Sequence, residues 1–478
     1  MENNKREGIL SLEPFVMSLS KLGRTDLALE ILDTFYKKSI NFKEYDDISK
    51  CYFKLRFYEK AIEVAKKTLA VASSSQEFYT IRFNLINLYN HANYPEEALR
   101  YIQHNRYVIP EDIDMFLEEA YSLFLLNRKQ EAEHILHKVL LNYDDQLSEE
   151  YKTKIKFNLG TYYLYKDEFQ RGLKLFLEEG AKMKFWNTES IFARNFNLNF
   201  ENFELKLKAG KYKAWDGIPR PGSPIIVHAE AGIGDEIINF RFMKNLVDLG
   251  MIPYWYNSFP ERSDILNVFK RHGFNIIKSL KEVKYDCDIY YAQSMHLPIS
   301  LKLEYPDLWK GPYLKADPEF IKVHQETVKP SNKLKIGLRW QGNPMYDHDL
   351  HRSVNLNGYY NALKHLDADF YSLQKDNGLD ELNSFPDLID LSDKLVSWED
   401  TLAIIENLDV VITSCTSVAH ASASMGKKTF VLVPISAYYT WSHSTKQSPW
   451  YGDNVTLLRQ ENPRSWDAPL KELKDSIQ

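Results

Sequence analysis

The chain has 478 residues, 44% of them hydrophobic and 26% charged, and a formal net charge of −6 at pH 7. Its length exceeds what one hydrophobic core supports, so we expect roughly two to four domains. The small negative charge excludes a global attraction to nucleic acid or to anionic membranes, although a local basic groove remains compatible with it.

The cellular location is predicted from three further features. No apolar run is long enough to span a bilayer, and the polar start MENNKREG lacks the apolar segment of a secretion signal. The cysteines Cys51, Cys287 and Cys415 are too far apart for a disulfide framework or a zinc site. We therefore expect a cytoplasmic protein without a membrane span.

The first part of the chain, from about residue 8 to residue 200, has apolar residues at three- and four-residue spacing, which predicts helices throughout. Small residues recur there in equivalent contexts, at Ala28, Ala61, Ala98, Ala132 and Gly172. This recurrence resembles tetratricopeptide repeats, which are helix pairs that bury a face by stacking. An unrelated helical bundle is the alternative. A repeat module would recognise partners and could also support oligomers.

A segment rich in proline and glycine, residues 211–224, separates this half from the rest of the chain. Beyond it, short β-rich runs alternate with helical stretches in two series. The first series contains IIVHA, PYWYN, FNIIK and DIYYA; the second contains LKIGLRW, DFYSLQ, LIDLS, DVVIT and TFVLV. Such alternation predicts two doubly wound parallel sheets, with a ligand between them at the carboxyl ends of the strands.

The predicted fold is therefore an α plus α/β multidomain chain. Residues 1–205 would form a helical repeat domain, 215–325 a first Rossmann-like domain, 332–460 a second Rossmann-like domain, and 461–478 a C-terminal helix. The break between the two α/β domains is expected near residues 318–333.

The first motif follows the strand IIVHAE and reads AGIGDEI. Gly232 and Gly234 permit a tight turn and a close backbone approach where a helix starts. Asp235 and Glu236 lie in the first turn of that helix. Acidic residues are favoured there by the helix dipole, whereas a carboxylate at the mouth of a cleft can act as a general base. Both interpretations of Asp235 remain open at this point.

The second motif is a polar loop after the strand LKIGLRW, longer than a connection between strand and helix requires. Its polar side chains are Arg339, Asn343, Asp349, Arg352 and Ser353. The acids and histidines of the same loop, Asp347, His348, Asp349 and His351, lack a coherent ligand spacing, so no metal is expected. Gln374 and Lys375 end the next strand of the series.

The third motif, TSCTSVAHASASMGKK, follows the strand DVVIT. Thr416, Ser417 and His420 lie in the first turn of the predicted helix. A simple N-cap is one explanation for the hydroxyls, and an anion site at the helix N-terminus is the other. His420 could face the same anion as Ser417, or it could be a buried, hydrogen-bonded histidine.

The ordered motifs as a set resemble one group of enzymes. EAGIGDEI, GLRWQGNP…DHDLHRS, YSLQK, DVVITSCTSVAHASASMGKK and SPWYGDNVTLLRQ are similar to motifs of bacterial tetratricopeptide-linked glycosyltransferases of GT-B fold. Those enzymes are related to O-linked N-acetylglucosamine transferases and more distantly to heptosyltransferases. The resemblance implies inverting sugar transfer from a nucleotide sugar, with neither a metal nor another cofactor. It implies Asp235 as the base, and nucleotide-sugar contacts at Gly232, Gly234, Asn343, Arg352, Ser353, Gln374, Lys375, Thr416, Ser417 and His420.

The acceptor is expected to be a protein held by the repeats, with a surface glycan or a modified nucleobase as the alternative. The chain departs from the family pattern at Ala231, Tyr346, Cys415 and Ala423, and in the run YYTW at residues 438–441. These departures leave the donor nucleotide and its sugar undetermined and leave room for a lost activity. A catalytically inactive scaffold and an uncoupled nucleotide-sugar hydrolase are therefore rival hypotheses. The last stretch, SWDAPLKELKDSI, predicts a helix, which in GT-B folds often crosses back to the first α/β domain.

Overall fold

A computed structural model of the chain describes residues 12–106, 113–182, 212–257, 263–328, 332–344, 346 and 349–477. The chain divides into two compact units, Met1–Asn142 and Tyr143–Gln478. Within the described ranges, no helix combines the length and the apolar composition needed to cross a membrane. The predicted domain boundary near residue 205 lies outside the described residues.

The described residues 12–106 and 113–182 are largely helical, as the apolar spacing predicts; the predicted helical stretch 183–200 lies outside the described residues. The first helices are α1 Leu12–Lys21, α2 Thr25–Lys38, α3 Phe42–Lys54, α4 Tyr58–Val71, α5 Ser75–His91, α6 Pro95–Asn105, α7 Ile113–Leu125 and α8 Lys129–Tyr143. The next two, α9 Glu149–Tyr165 and α10 Phe169–Lys182, belong to the second compact unit.

Each of these five helix pairs is joined by a turn of the same geometry. A residue in the left-handed region lies five positions before each recurring small residue, at Gly23, Arg56, Asn93, Asn127 and Asp167. The N–H of the next residue bonds the carbonyl five positions earlier, for example Phe57 to Tyr52 at 2.9 Å. This bond closes the end of the preceding helix. The interval seen in the sequence thus corresponds to a repeated helix–turn–helix geometry.

Helices α9 and α10 approach each other through two glycines. A Cβ added at Gly172 would lie 2.6 Å from the backbone nitrogen of Leu164 and 2.9 Å from the Gly160 carbonyl oxygen. A Cβ added at Gly160 would lie 2.7 Å from the backbone nitrogen of Phe176. Because both close neighbours are backbone atoms, any larger side chain would force the helices apart.

The second unit contains two sheets. The first sheet has the order β1-β5-β2-β3-β4 and is parallel throughout. Its strands are β1 Tyr212–Ala214, β2 Pro224–His228, β3 Ile252–Tyr256, β4 Asn275–Ile277 and β5 Ile289–Gln293. The second sheet has the order β11-β12-β10-β9-β6-β7-β8, and β11 pairs antiparallel with β12. Its strands are β6 Leu334–Arg339, β7 Ala368–Ser372, β8 Leu388–Asp390, β9 Val410–Ser414, β10 Lys428–Val433, β11 Gln447–Ser448 and β12 Gly452–Arg459.

All nine predicted strands occur, so the expectation of two Rossmann-like parallel sheets is confirmed. Helices follow the strands as in doubly wound folds. They are α11 Ile233–Phe240, α12 Phe242–Asp248, α13 Ser263–Arg271, α14 Leu297–Ser300, α15 Tyr305–Leu308, α16 Pro318–His324, α17 Asp349–Arg352, α18 Leu356–Leu363, α19 Trp398–Glu406, α20 Ser417–Ser424 and α21 Asp467–Ser476.

The last helix, α21, forms where the sequence predicts it, but its expected crossing to the first sheet is wrong. Leu473 and Ile477 are buried in the hydrophobic cluster of the second sheet, together with Ile336 and Leu338 of β6. The helix therefore buries its apolar residues against the domain that it follows in the chain.

A buried arginine connects the two α/β domains. The Arg241 guanidinium donates to the carbonyl of Leu308 and to the hydroxyl of Tyr313, both at 3.0 Å. It also donates to the carbonyl of Trp450 and lies 4.6 Å from the ring centroid of Tyr451. Removing this cation would leave several buried acceptors unpaired. The contacts therefore fix the approach of the two domains on which the site depends.

Candidate active site

The first motif forms the N-terminus of α11, at the carboxyl end of β2. Gly232 is the N-cap residue, and its N–H donates to Oδ2 of Asp235 at 3.0 Å in a capping box. Ala231 has a positive φ of 57°, which turns the chain between the strand and the helix. Asp235 thus has the structural role that helix dipoles favour. Its second oxygen, Oδ1, is buried, and the Asp235 side chain interacts with that of Tyr438.

The third motif forms the N-terminus of α20, at the carboxyl end of β9. Thr416 is the N-cap residue, but its side chain makes no capping bond within the described residues. Its hydroxyl lies 3.2 Å from that of Thr413 instead. Ser417 is half-buried and begins the helix. The N–H groups of this first turn are therefore not occupied by the N-cap side chain, which suits an incoming anion.

His420 is held inside the protein. Its Nδ1 lies 2.8 Å from the Tyr451 hydroxyl, and its ring stacks on Trp441 at 4.7 Å and 12°. Burial, aided by the Arg241 cation, lowers the pKa of His420 to about 3, so the ring is neutral at pH 7. This is the buried, hydrogen-bonded arrangement considered above as the alternative to an anion contact.

The two helix N-termini meet through Gly234. A Cβ placed on Gly234 would lie 3.1 Å from Cδ2 of His420 and 3.6 Å from Cα of Ser417. Residues far apart in sequence, from the first and third motifs, are therefore in direct contact. The absence of a side chain at Gly234 permits this close approach of one helix to the other.

The polar loop after β6 reaches the same helix N-terminus through Arg352. The Arg352 guanidinium donates to the Cys415 carbonyl through Nη1 and to Asp349 through Nε, both at 2.9 Å. Ser353 donates its hydroxyl to Asp349 at 3.0 Å and accepts the N–H of Gly342 at 3.3 Å. A cation oriented in this way stands beside the first turn of α20, where it would favour a bound anion.

The remaining predicted residues of this loop region have different surroundings. The Gln374 amide oxygen accepts the N–H groups of Trp340 at 3.3 Å and of Gln341 at 3.1 Å, so this side chain shapes the loop backbone. Lys375 is exposed and donates to the Val396 carbonyl at 3.2 Å. Asn343 is exposed within the loop. Asp347 and His348 lie outside the described residues.

Two of the departures from the family pattern have a visible structural role. The Tyr346 ring lies 4.5 Å below the Arg352 guanidinium, so it helps to orient that cation. Cys415 is buried and donates its thiol to the Leu432 carbonyl at 3.4 Å, and burial raises its pKa to about 12. Cys415 therefore packs under the helix N-terminus as an unreactive thiol.

Sequence reasoning did not assign Glu230, Tyr438 and Tyr439, which lie beside Asp235. Burial raises the pKa of Tyr438 well above its usual value, and the adjacent Asp235 carboxylate raises it further. The Tyr439 ring packs 5.7 Å from Phe176 of α10. Both tyrosines belong to the run YYTW, which departs from the family pattern, and this departure is the sequence signal that points to them. Glu230 precedes the glycines of the first motif, and no feature of the sequence around it indicates a functional role.

Comparisons with known proteins give only distant similarity. No protein-family model matches the chain, and no curated protein matches its sequence. The E. coli ADP-heptose lipopolysaccharide heptosyltransferase II is 11% identical at a TM-score of 0.39, covering 53% of this chain and 97% of its own. A mutant O-GlcNAc transferase of Thermobaculum terrenum is 11% identical at a TM-score of 0.29, covering 91% of this chain and 88% of its own.

These two proteins belong to the groups that the ordered motifs resemble, the heptosyltransferases and the bacterial O-GlcNAc transferases. At such identities and TM-scores, the comparisons by themselves establish neither the family nor the activity of this chain. The functional interpretation therefore depends on the geometry of the site and on its motifs.

The expectation of a metal-free reaction is corrected by a further structure. TibC of enterotoxigenic E. coli, 9% identical at a TM-score of 0.34 over 53% of this chain and 67% of its own, is described as a dodecameric, iron-containing glycosyltransferase. Freedom from metal therefore does not follow from the resemblance. Among the described residues, no three His, Cys, Asp or Glu side chains form a group that could hold a metal ion. No residue of this chain is accordingly assigned to iron.

Proposed function

We propose that the chain is a glycosyltransferase that moves a sugar from a nucleotide sugar to an acceptor hydroxyl between the two α/β domains. The observation that carries the proposal is the contact of the two helix N-termini, where Gly234 of α11 lies against Ser417 and His420 of α20. It brings a candidate base and a candidate diphosphate site together at the carboxyl ends of two sheets, which is where doubly wound domains bind ligands.

The donor diphosphate would lie at the N-terminus of α20. The N–H groups of Thr416 and Ser417 and the helix dipole would stabilise its negative charge. Arg352, fixed by Asp349 and by the Cys415 carbonyl, would add a cation on the same side. In this proposal Gln374 and His420 act indirectly, by holding the loop and the helix, because their side chains are engaged within the protein.

The reaction would be a single displacement. The acceptor hydroxyl gives its proton to the Asp235 carboxylate while its oxygen attacks the anomeric carbon of the donor sugar. The bond from that carbon to the diphosphate oxygen breaks, and the nucleoside diphosphate leaves with the bonding electron pair. The helix N-terminus and Arg352 stabilise the charge that develops on it. Attack opposite the leaving group would invert the anomeric centre.

The helix pairs of the first compact unit would recognise the acceptor, which we propose to be a protein. We infer that they are tetratricopeptide-like repeats. The supporting observation is the shared turn geometry, with buried small residues such as Ala61 and Ala98 five positions after a left-handed residue. A surface glycan or a modified nucleobase is the alternative acceptor.

The test is thermal stability of the full chain with UDP, GDP, ADP, CMP, dTDP and their common sugar conjugates. Ligand at a hundredfold excess over its dissociation constant stabilises a protein by about 2.7 kcal/mol. We expect one nucleotide to raise the melting temperature of the wild type and to do so much less in Arg352→Lys. No shift with any nucleotide would contradict the proposal and favour an inactive scaffold.

The matched control is Arg220→Lys. Arg220 also pairs with an aspartate, Asp216, and also stacks over a tyrosine, Tyr290, at 4.5 Å. Arg220 lies in the segment before β2, away from the N-terminus of α20. Its replacement therefore makes the same chemical change, arginine to lysine beside an aspartate and a tyrosine, outside the candidate site. Arg220→Lys should bind the nucleotide as the wild type does, and equal losses in both variants would show that the effect of Arg352 is not local.

A further inference from the structure

A second carboxyl group lies beside Asp235. Glu230 lies two residues after the end of β2 and is only 3% exposed. One of its oxygens, Oε2, accepts the N–H of Met295, just after β5, at 3.2 Å. Within the described residues, no lysine, arginine or histidine forms an ion pair with Glu230. A buried carboxyl with one neutral donor and no cation is costly to ionise.

The groups that face Glu230 are acidic or neutral. Asp235 of α11 interacts with it electrostatically, and so do Tyr291 of β5 and Tyr439 of the loop before β11. Burial is the main cause that raises the pKa of Glu230 to about 8; the Met295 N–H opposes this shift and the Asp235 charge adds to it. Two carboxyls that interact electrostatically in a poorly solvated place resist ionising at the same time.

We propose that Glu230 keeps its proton at neutral pH and so spares the neighbouring Asp235 carboxylate a second buried negative charge at the carboxyl end of β2. For its catalytic consequence the proposal rests on the proposed function. Asp235 would accept the proton of the acceptor, while the proton of Glu230 stays in place throughout. Loss of that proton would put a second negative charge beside the base and disturb its position and its affinity for the acceptor proton.

The first experiment needs no substrate. Infrared spectra of the full chain labelled with ¹³C-glutamate should contain the carbonyl band of a protonated, buried carboxylic acid at pH 6. The band should titrate away near pH 8 and be absent from Glu230→Gln. A wild-type spectrum without the band at pH 6 would overturn the proposal, as would a band that persists in Glu230→Gln. If the variant does not fold, the wild-type spectrum still decides whether a buried glutamic acid exists.

A second readout uses the pH dependence of unfolding. The pKa of Glu230 is raised by folding from its ordinary 4.5 to about 8, so its contribution to stability is complete below pH 4.5. That contribution is lost as the pH rises through 8. Between these values the unfolding equilibrium constant of the wild type should grow, relative to that of Glu230→Gln, by about tenfold per pH unit. A ratio independent of pH would contradict the proposal.

Exposed Glu319 provides the matched control, because Glu319→Gln makes the same substitution at a surface position. This variant should keep both the infrared band and the pH dependence of the wild type. If a nucleotide-sugar turnover is found, its fall above pH 8 should be absent in Glu230→Gln; superimposable profiles would refute the effect on Asp235. Failure to find any turnover would count against the proposed function alone, since the infrared result stands without it.

Discussion

Gly234→Ala tests the contact on which the site depends. The new methyl group would lie 3.1 Å from Cδ2 of His420 and 3.6 Å from Cα of Ser417, where ordinary van der Waals contacts are 3.4–4 Å. The His420 ring must therefore move by a few tenths of an ångström, or α11 must tilt away from α20. Either response changes the distance between Asp235 and the N-terminus of α20.

The cost follows from how firmly His420 is held. Its Nδ1 lies 2.8 Å from the Tyr451 hydroxyl, and Trp441 stacks on its ring at 4.7 Å. Overpacking of a well-packed site costs about 1–3 kcal/mol. Replacing a helical glycine by alanine returns up to about 1 kcal/mol. The net effect is a destabilisation of the contact by up to about 2 kcal/mol, which is roughly a 30-fold change in an equilibrium constant.

The assay is nucleotide affinity by calorimetry together with the melting temperature, measured on Gly234→Ala and Gly358→Ala. Gly358 is the control because a Cβ there would meet only the flexible end of Leu470, away from the site. We expect Gly234→Ala to lose affinity by about three- to 30-fold and Gly358→Ala to bind nucleotide as the wild type does. If Gly234→Ala binds nucleotide like Gly358→Ala, the contact does not control the site.

Two further variants test the base and the helix packing. Asp235→Asn keeps an oxygen for its capping bond but cannot take a proton, so turnover should fall about 10²–10⁴-fold with little change in melting temperature. Asp307→Asn, a capping-box residue of α15 with the same bond to a backbone N–H, should retain full turnover; wild-type turnover in Asp235→Asn would exclude it as the base. Gly172→Ala should destabilise the chain by about 1–3 kcal/mol in denaturant unfolding, because its methyl group meets backbone 2.6 Å away. Gly358→Ala meets only the flexible end of Leu470 and should be milder; equal effects would show that α9 and α10 can separate freely.

The strands that the sequence predicted are those with strong local patterns. Runs such as DVVIT and TFVLV are rich in β-branched residues and buried in the middle of a sheet, so period and composition suffice. The strands that it missed lie at or beside sheet edges. β1 is three residues long and β11 only two, and such short segments become strands only by pairing with a neighbour. β12 begins at Gly452, within a segment that was recognised as a motif and not as a strand.

The sequence predicted which residues belong to the candidate site, but it did not predict how they are arranged in space. Thr416, Ser417 and Asp235 occur at helix N-termini, as the motifs predict. The sequence left open whether His420 faces an anion or is buried, and only its contacts with Tyr451 and Trp441 show which arrangement occurs. Nothing in the sequence around Tyr451 or Trp441 indicates that these side chains contact His420.

The sequence by itself determined the helical first half with its repeat interval, the alternation that builds two parallel sheets, and the glycines and hydroxyls at two helix starts. These features follow from local periodicity and backbone preference, which act over a few residues. The tertiary structure alone decided that Gly234 lies against His420 and that Glu230 is buried beside Asp235. Long-range packing determines which distant segments are in contact and how far each carboxyl is shielded from water. Neither property can be inferred from a short stretch of sequence.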